Sequence, residues 1–253
     1  MRFGFDEYVH LGSPLHRWDP RFKLIGLFVL IFAFAFVRDP RLLLAIVAVT
    51  AAIYIASRLP LSYLLTRLRY PSLFLLALVL ALPFISGGDV VASLGPIDLK
   101  QEGLTSALLI ATRFFCILTV GLVIFGTAPF LNTIKAMRAL GLPDILTDMT
   151  LLAFRYFHDT GEYLHRMETS MRLRGFHERR ISPRGVGVLA WLGGSILVRS
   201  YERSEGVYRA MILRGYGHAG HPGEEFHSCP ADAVALAVTI LVAMGFVVAE
   251  ILI

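Results

Sequence analysis

The sequence has few charged residues and only two cysteines. Charged side chains account for 17% of its 253 residues and hydrophobic ones for 56%. Soluble domains carry about 25% charged and about 45–50% apolar residues. Cys116 and Cys229 provide no framework of disulfides and no paired-cysteine zinc motif. This composition predicts an integral membrane protein whose surface contacts the lipid bilayer.

A phosphate-binding loop and a signal peptide are also missing. Neither Gly87-Gly88 nor Gly193-Gly194-Ser195 is followed by lysine, so the pattern G-x-x-x-x-G-K-[ST] does not occur. We therefore expect no nucleotide hydrolysis by this chain. Residues 1–20 are polar and have no signal-peptide apolar core, so the first membrane segment is expected to be its own insertion signal.

The net charge of +5 would suggest nucleic-acid binding in a soluble protein. Here the basic residues flank apolar runs, which is typical of the residues that set the orientation of a membrane protein. Nucleic acid is therefore not expected as a partner.

Apolar runs predict an all-α, polytopic membrane protein with about five transmembrane helices. The runs cover residues 24–37, 42–57, 71–86, 104–127 and 231–253. Lysine and arginine are concentrated before the first run and between the second and third. Because basic residues mark the cytoplasmic side, we expect the N-terminus and the segment after the fourth run to be cytoplasmic.

The segment between the fourth and fifth runs differs in composition from the rest of the chain. Residues 128–232 hold 13 of the 24 Lys and Arg residues and 11 acidic ones. We interpret residues 128–230 as a cytoplasmic helical domain. It would lie between a membrane part, residues 1–127, and a C-terminal transmembrane helix, residues 231–253.

Three helices are predicted in this cytoplasmic segment. They cover residues 131–140, about 144–174 and about 183–214, and Gly141-Leu142-Pro143-Asp144 separates the first two. The third contains an apolar stretch, Val186 to Val198, which is short for a span and favours a buried or interfacial helix. A sixth transmembrane span at this stretch is the alternative.

Two of these helices end in the same tripeptide, Leu173-Arg174-Gly175 and Leu213-Arg214-Gly215. Glycine after a helix can adopt the left-handed conformation that caps it, and arginine in the last turn complements the helix dipole. Arginine also offers a planar fork of donors that suits carboxylates on another protein. Two similar ends predict two similar partner grooves, and hence a pair of homologous partner subunits.

At these residues the chain resembles the transmembrane T component of energy-coupling factor transporters, and within it the CbiQ subunits of cobalt importers. That family has two Xaa-Arg-Gly motifs at the ends of cytoplasmic coupling helices, although alanine is frequent where Leu173 and Leu213 stand here. The stretch Ser13 to Leu24, with Asp19-Pro20-Arg21, and the stretch Met137 to Pro143 are similar to the family as well.

The resemblance implies a non-catalytic subunit of an ATP-driven importer. Arg174 and Arg214 would each anchor a coupling helix in one of two ABC-type ATPases, which use ATP and Mg²⁺, while this chain binds no cofactor. A separate membrane subunit would bind the metal ion. Cobalt is the expected cargo. Nickel or a vitamin is an alternative, because the sequence contains no buried set of ligand side chains that would identify the substrate.

Other polar residues are weaker candidates for a site. The ligand types in His218, His221, His227 and Cys229 suit cobalt, nickel or zinc, but their spacing matches no standard site and a polar loop is the favoured interpretation. Arg113, inside an apolar run, is expected to bond neighbouring backbone or to contact the substrate subunit.

Two other functional classes are alternatives to a coupling subunit. A membrane-embedded enzyme would use the histidines and carboxylates around Asp159 and Glu162, which we expect to be solvated surface instead. A self-sufficient permease would require internal symmetry between its spans, and repetition occurs only in the cytoplasmic segment.

Overall fold

The computed structural model describes residues 12–85, 90–94, 97–175, 183–217 and 229–252. Its helices are α1 Pro14–Arg17, α2 Pro20–Phe36, α3 Leu43–Ser57, α4 Leu61–Ile85, α5 Gln101–Gly126, α6 Phe130–Ala139, α7 Asp144–Leu173, α8 Pro183–Leu213 and α9 Pro230–Leu252. A 3₁₀ turn, Pro40–Leu42, precedes α3. The predicted all-α membrane fold is confirmed.

A short antiparallel hairpin is the one described departure from helical structure. Strand β1, Val90–Leu94, pairs with β2, Ile97–Lys100, with Leu94 opposite Ile97 and a register shift between Val90 and Ala92. The sequence predicts a loop here, because the stretch lies between the third and fourth apolar runs. The hairpin connects α4 to α5, which pack against each other.

Three described helices are long and apolar enough to cross a membrane: Pro40–Ser57, Thr105–Gly126 and Pro230–Leu252. They coincide with three of the five predicted spans. Helix α2 has 17 residues and covers the first predicted span, although it begins earlier, at Pro20. Helix α4 begins at Leu61, ten residues before the third predicted span.

The early start of α4 has a physical reason. Because the third apolar run starts at Pro71, the sequence predicts that Arg67 and Arg69 lie between two helices. Proline lacks one amide donor, so it removes a single hydrogen bond of the ladder, and the helix continues through it. Both arginine side chains remain exposed, and that of Arg67 lies over the Tyr63 ring, 5.8 Å from its centroid.

The chain divides into two compact units. One comprises residues 142–225 and contains α7 and α8; the other contains α1 to α6 together with α9. Helix α6 therefore belongs with the membrane helices, and it packs against α2, whereas the predicted cytoplasmic domain began at residue 128. The cytoplasmic location of residues 142–225 stays a prediction.

Helix α2 lies at the centre of the larger unit and packs against both α5 and α9. Leu30 and Phe34 on α2 are fully buried, and the Phe34 ring meets the Phe246 ring of α9 edge-to-face at a centroid distance of 5.3 Å. A Cβ atom on Gly26 would lie 3.3 Å from Leu236 Cδ1 and 3.4 Å from Trp18 Cη2. Glycine at this position therefore permits the close approach of α2 and α9.

The Trp18-Asp19-Pro20-Arg21 stretch fixes the start of α2. The Asp19 carboxylate accepts from the Arg21 amide at 2.9 Å and forms an ion pair with the Arg21 guanidinium at 3.0 Å. Asp19 thereby caps α2, with proline at the first helical position. Trp18 Nε1 donates to the Asp232 carbonyl at 3.2 Å, which ties this start to the start of α9.

A buried lysine joins the same end of the unit to α5. Lys23 is almost completely buried, and its Nζ donates to the Leu15 carbonyl at 3.3 Å and to Thr127 Oγ1 at 3.0 Å. A buried ammonium is tolerated only when its donors find partners. Thr127 directly follows α5, so Lys23 holds the end of α5 against α1 and α2.

Candidate functional site

Helices α7 and α8 form an antiparallel crossing. As the chain advances along α7, its contacts move backward along α8, from Asp159 with Arg203 to Met167 with Ser195. Between them the Arg199 guanidinium lies over the Tyr163 ring, 4.1 Å from its centroid. Cation–π and ion-pair contacts of this kind provide much of the side-chain contact between the two helices.

The first Leu-Arg-Gly motif forms the C-terminal cap of α7. The Arg174 amide donates to the Ser170 and Met171 carbonyls at 3.2 and 3.1 Å, and the Gly175 amide donates to Arg172 at 3.0 Å. Gly175 has φ +85°, a left-handed conformation that glycine adopts without steric cost. Leu173 is the last helical residue and is 85% exposed.

The second motif repeats this geometry at the end of α8. The Arg214 amide donates to the Ala210 and Met211 carbonyls, the Gly215 amide donates to the Ile212 carbonyl at 2.9 Å, and Gly215 has φ +77°. The Tyr216 amide also donates to the Met211 carbonyl at 3.0 Å, which completes a Schellman cap. Leu213, the last helical residue, is 88% exposed.

Both motifs present an exposed leucine beside an exposed arginine. Within the described part of the chain, neither the Arg174 nor the Arg214 guanidinium makes an ion pair or a hydrogen bond. A fixed backbone, an apolar side chain and an available fork of donors are the elements of a protein-docking surface. We call Leu173-Arg174-Gly175 the first docking end and Leu213-Arg214-Gly215 the second docking end.

The antiparallel crossing places the two docking ends at opposite ends of the helix pair. The second lies beside Asp148 on α7, because the Tyr216 hydroxyl donates to Asp148 Oδ2 at 2.9 Å. The first lies 25 residues farther along α7, at Leu173, which corresponds to about 37 Å at 1.5 Å per residue. This separation leaves room for one partner at each docking end.

The sequence does not predict the bond between Tyr216 and Asp148, because the two residues are 68 positions apart. The signal available in the sequence is that the first motif is followed by Phe176 and the second by Tyr216. Only Tyr216 has a hydroxyl, and this difference is consistent with a hydrogen-bond partner for it near the second docking end.

Arg113 bonds to the backbone of a neighbouring helix. Its Nη1 donates to the carbonyls of Ala35 and Val37 at 3.0 and 3.1 Å, at the C-terminal end of α2. The last carbonyls of a helix have no partner within the helix, and the guanidinium supplies one. Arg113 therefore bonds to neighbouring backbone, the first of the two roles expected for it.

The weak metal candidates receive no support from the described residues. His218, His221 and His227 lie outside them, whereas Cys229 is an exposed free thiol whose backbone amide donates to the Asp232 carboxylate. The described ranges contain no cluster of three or more His, Cys, Asp or Glu side chains that could hold a metal ion.

The polar residues around Asp159 do not form an acid–base site. Asp159 pairs with Arg203, and its side chain is still 41% exposed at the surface. Glu162 is exposed and pairs with Arg166 one turn away, and the exposed His158 ring lies 3.1 Å from the Phe154 carbonyl oxygen. These contacts use the carboxylates as structural partners on or near the surface.

The sequence of the chain is similar to those of known proteins over most of its length. Residues 12–223 match the family model described as CbiQ, cobalt transport protein. The chain is similar to the energy-coupling factor transporter transmembrane protein EcfT of Limosilactobacillus fermentum, with 28% identity over 98% of this chain and 97% of that protein. The EcfT of Bacillus selenitireducens is 29% identical over 94% of this chain and 93% of its own length.

A third relative is named as an ATP-binding protein and not as a transmembrane protein. A putative ABC transporter ATP-binding protein of Bifidobacterium longum is 32% identical over 51% of this chain, which covers 18% of that protein. The matches to the family model and to EcfT proteins both extend over most of the chain. The chain therefore belongs to the CbiQ/EcfT family and is a transmembrane component of an energy-coupling factor transporter.

Proposed function

We propose that this chain is the coupling subunit of an ATP-driven cobalt importer and that its two docking ends bind two ABC-type ATPases. The observation that carries the proposal is the pair of matching caps, each with an exposed leucine and an arginine available to a partner. The similarity to an ATP-binding protein of an ABC transporter supports ATPases as partners.

The mechanism follows from the stiffness of the two helices. Each Arg would donate two parallel hydrogen bonds to a carboxylate in one ATPase, while the neighbouring leucine would enter an apolar groove. Closure of the ATPases around ATP and Mg²⁺ would change the distance between the docking ends. Helices α7 and α8 would then rotate about their crossing and transmit the motion to the membrane helices as a rigid-body movement.

The membrane part would hold the subunit that binds the cargo. Exposed apolar side chains cover α3, α4 and α9, including Leu44, Phe74 and Leu241, and lipid and the substrate-binding subunit would share this surface. Cobalt as the cargo rests on the description of the matched family. The N-terminus and both docking ends would be cytoplasmic, because the ATPases act there.

Charge reversal at both docking ends tests the proposal. In Arg174→Glu/Arg214→Glu, the ATPases should no longer co-purify with the chain, because each new carboxylate repels the acidic group that the arginine binds. The matched control is Arg166→Glu/Arg209→Glu, which makes the same charge change at exposed arginines of α7 and α8. Retention of both ATPases by the docking variant would refute the proposal.

The cargo needs a separate measurement. Vesicles that contain the complete transporter should accumulate ⁵⁷Co²⁺ in the presence of ATP, and an excess of unlabelled Co²⁺ should suppress uptake more strongly than equal Ni²⁺. Preferential suppression by Ni²⁺ would assign nickel as the cargo. ATP-dependent uptake of neither ion, in vesicles whose ATPases are active, would exclude both metals and favour a vitamin.

A further inference from the structure

The two docking ends differ in the residue that follows them. Phe176 follows the first motif and Tyr216 follows the second. The hydroxyl of Tyr216 lies 2.9 Å from Asp148 Oδ2, and both side chains are half-buried. A hydrogen bond to a carboxylate is stronger than one between neutral groups. The second docking end therefore carries a hydrogen bond between a hydroxyl and a carboxylate of α7, which we call the tether. Phe176, which follows the first motif, has no hydroxyl and cannot form such a bond.

The backbone connects this hydrogen bond directly to Arg214. The Tyr216 amide donates to the Met211 carbonyl, and the Gly215 amide donates to the Ile212 carbonyl, so the Schellman cap fixes Tyr216 relative to the last turn of α8. Asp148 lies in the second turn of α7, which begins at Asp144. One path from Arg214 to α7 therefore runs through this rigid cap and the hydrogen bond between Tyr216 and Asp148.

The position of this bond along α7 makes it sensitive to rotation of the helices. Asp159, which pairs with Arg203, lies 11 residues beyond Asp148, a distance of about 17 Å along the helix. A rotation about the crossing displaces a distant contact more than a central one. The bond between Tyr216 and Asp148 therefore opposes such a rotation at the second docking end.

We propose that Tyr216 is a positioning residue: through Asp148 it holds the second docking end on α7, so that movement of the ATPase bound there also moves α7. The two docking ends are then unequal, since the second carries the tether. This inference rests on the proposed docking function. It adds that the hydroxyl of Tyr216 transmits ATPase motion and is not needed for ATPase binding.

The test measures the separation of the docking ends in the complete complex. Spin labels at Thr169→Cys and Arg209→Cys, both exposed positions, report this distance after Cys116→Ala and Cys229→Ala remove the native thiols. In the parent chain, pulsed EPR should give a narrow distance peak that shifts on addition of ATP. In Tyr216→Phe, the ratio of the narrow population to a broad one should fall by about fivefold or more, and the shift should be lost.

Four variants separate a positioning role of Tyr216 from a general loss of structure. Tyr208→Phe removes an exposed hydroxyl from the same helix and should behave as the parent chain does. Asp148→Ala should reproduce the effect of Tyr216→Phe on the distance peak. The double variant Tyr216→Phe/Asp148→Ala should show no larger effect than either single variant. Asp148→Asn keeps an acceptor oxygen and should therefore retain most of the narrow peak. Both ATPases should still co-purify with Tyr216→Phe.

An unchanged distance peak in Tyr216→Phe would overturn the inference, and so would additive effects of Tyr216→Phe and Asp148→Ala. Loss of the ATPases from Tyr216→Phe would also overturn it, because Tyr216 would then be required for assembly. The docking proposal fails on a different result, the retention of both ATPases by Arg174→Glu/Arg214→Glu. In that case a broadened peak in Tyr216→Phe would still support the tether.

Discussion

Substitution of Gly26 by valine should destabilise the packing of α2 against α9. The added Cβ would meet Leu236 Cδ1 at 3.3 Å, Trp18 Cη2 at 3.4 Å and Thr239 Cβ at 3.5 Å. The first distance is shorter than an ordinary van der Waals contact, and the two methyl groups of valine add further overlap. Forcing extra carbon atoms into a well-packed interface costs about 1–3 kcal/mol.

The expected change in melting temperature follows from this energy. For a chain of this size, about 1 kcal/mol shifts Tm by about 2–4 °C, so Gly26→Val should lower Tm by about 2–12 °C. Thermal unfolding of the purified complex, followed by light scattering or tryptophan fluorescence, measures the shift. Trp18 contacts the site and is a suitable reporter.

Gly245 on α9 provides the matched control for Gly26. Nothing lies within 4 Å of a Cβ built there, and Gly245 is exposed in the middle of a predicted span. Gly245→Val should therefore leave Tm within about 2 °C of the parent value, since only intrinsic helix propensity changes. Equal Tm values for the Gly26 and Gly245 variants would refute the close approach of α2 and α9.

Three further substitutions give distinct outcomes. Phe34→Ala removes a fully buried ring that packs edge-to-face on Phe246 and should destabilise the fold by about 3–5 kcal/mol. A Tm equal to that of Phe32→Ala, a substitution at an exposed position, would contradict this. Arg113→Leu leaves the Ala35 and Val37 carbonyls without their donor and should cost about 1–3 kcal/mol, whereas Arg113→Lys should recover part of the loss in the same melting assay. Gly215→Ala forces a left-handed φ of +77° on alanine and should weaken ATPase co-purification, while Gly206→Ala within α8 should not.

Much of the helical order could be predicted from the sequence. The three-to-four-residue spacing of apolar side chains from Ile145 to Met167 predicts the helix that the structure places at Asp144–Leu173. Gly141 and Pro143 separate it from α6 as expected, with Gly141 at φ +107°. Local rules suffice here because a cap depends on residues within one turn of it.

Features that depend on distant contacts could not be predicted. Tyr216 and Asp148 are 68 residues apart in the sequence, and their bond depends on the angle at which α7 and α8 cross. A lysine before an apolar run predicts a residue that sets membrane orientation, yet the Lys23 Nζ donates a hydrogen bond to Thr127, 104 residues away. The charge of a lysine does not reveal whether a distant acceptor will allow it to be buried.

At the beginning of α4, local residues favour a loop although the structure has a helix. Arg67, Arg69 and Pro71 together resemble a loop, because each disfavours an apolar span. The structure keeps all three in one helix of 25 residues. The amide that Pro71 lacks costs the helix one hydrogen bond, and exposed charged side chains such as those of Arg67 and Arg69 are compatible with a helix.

Photocrosslinking at the docking ends tests the central claim most directly. A photoreactive phenylalanine derivative replaces Leu173 or Leu213 in the complete transporter, and the control position is Leu44, which is 84% exposed but lies on a candidate membrane span. The account predicts covalent adducts with the ATPase subunits from Leu173 and Leu213, and none from Leu44. Adducts from Leu44 at a similar yield, or none from Leu173 and Leu213, would contradict it.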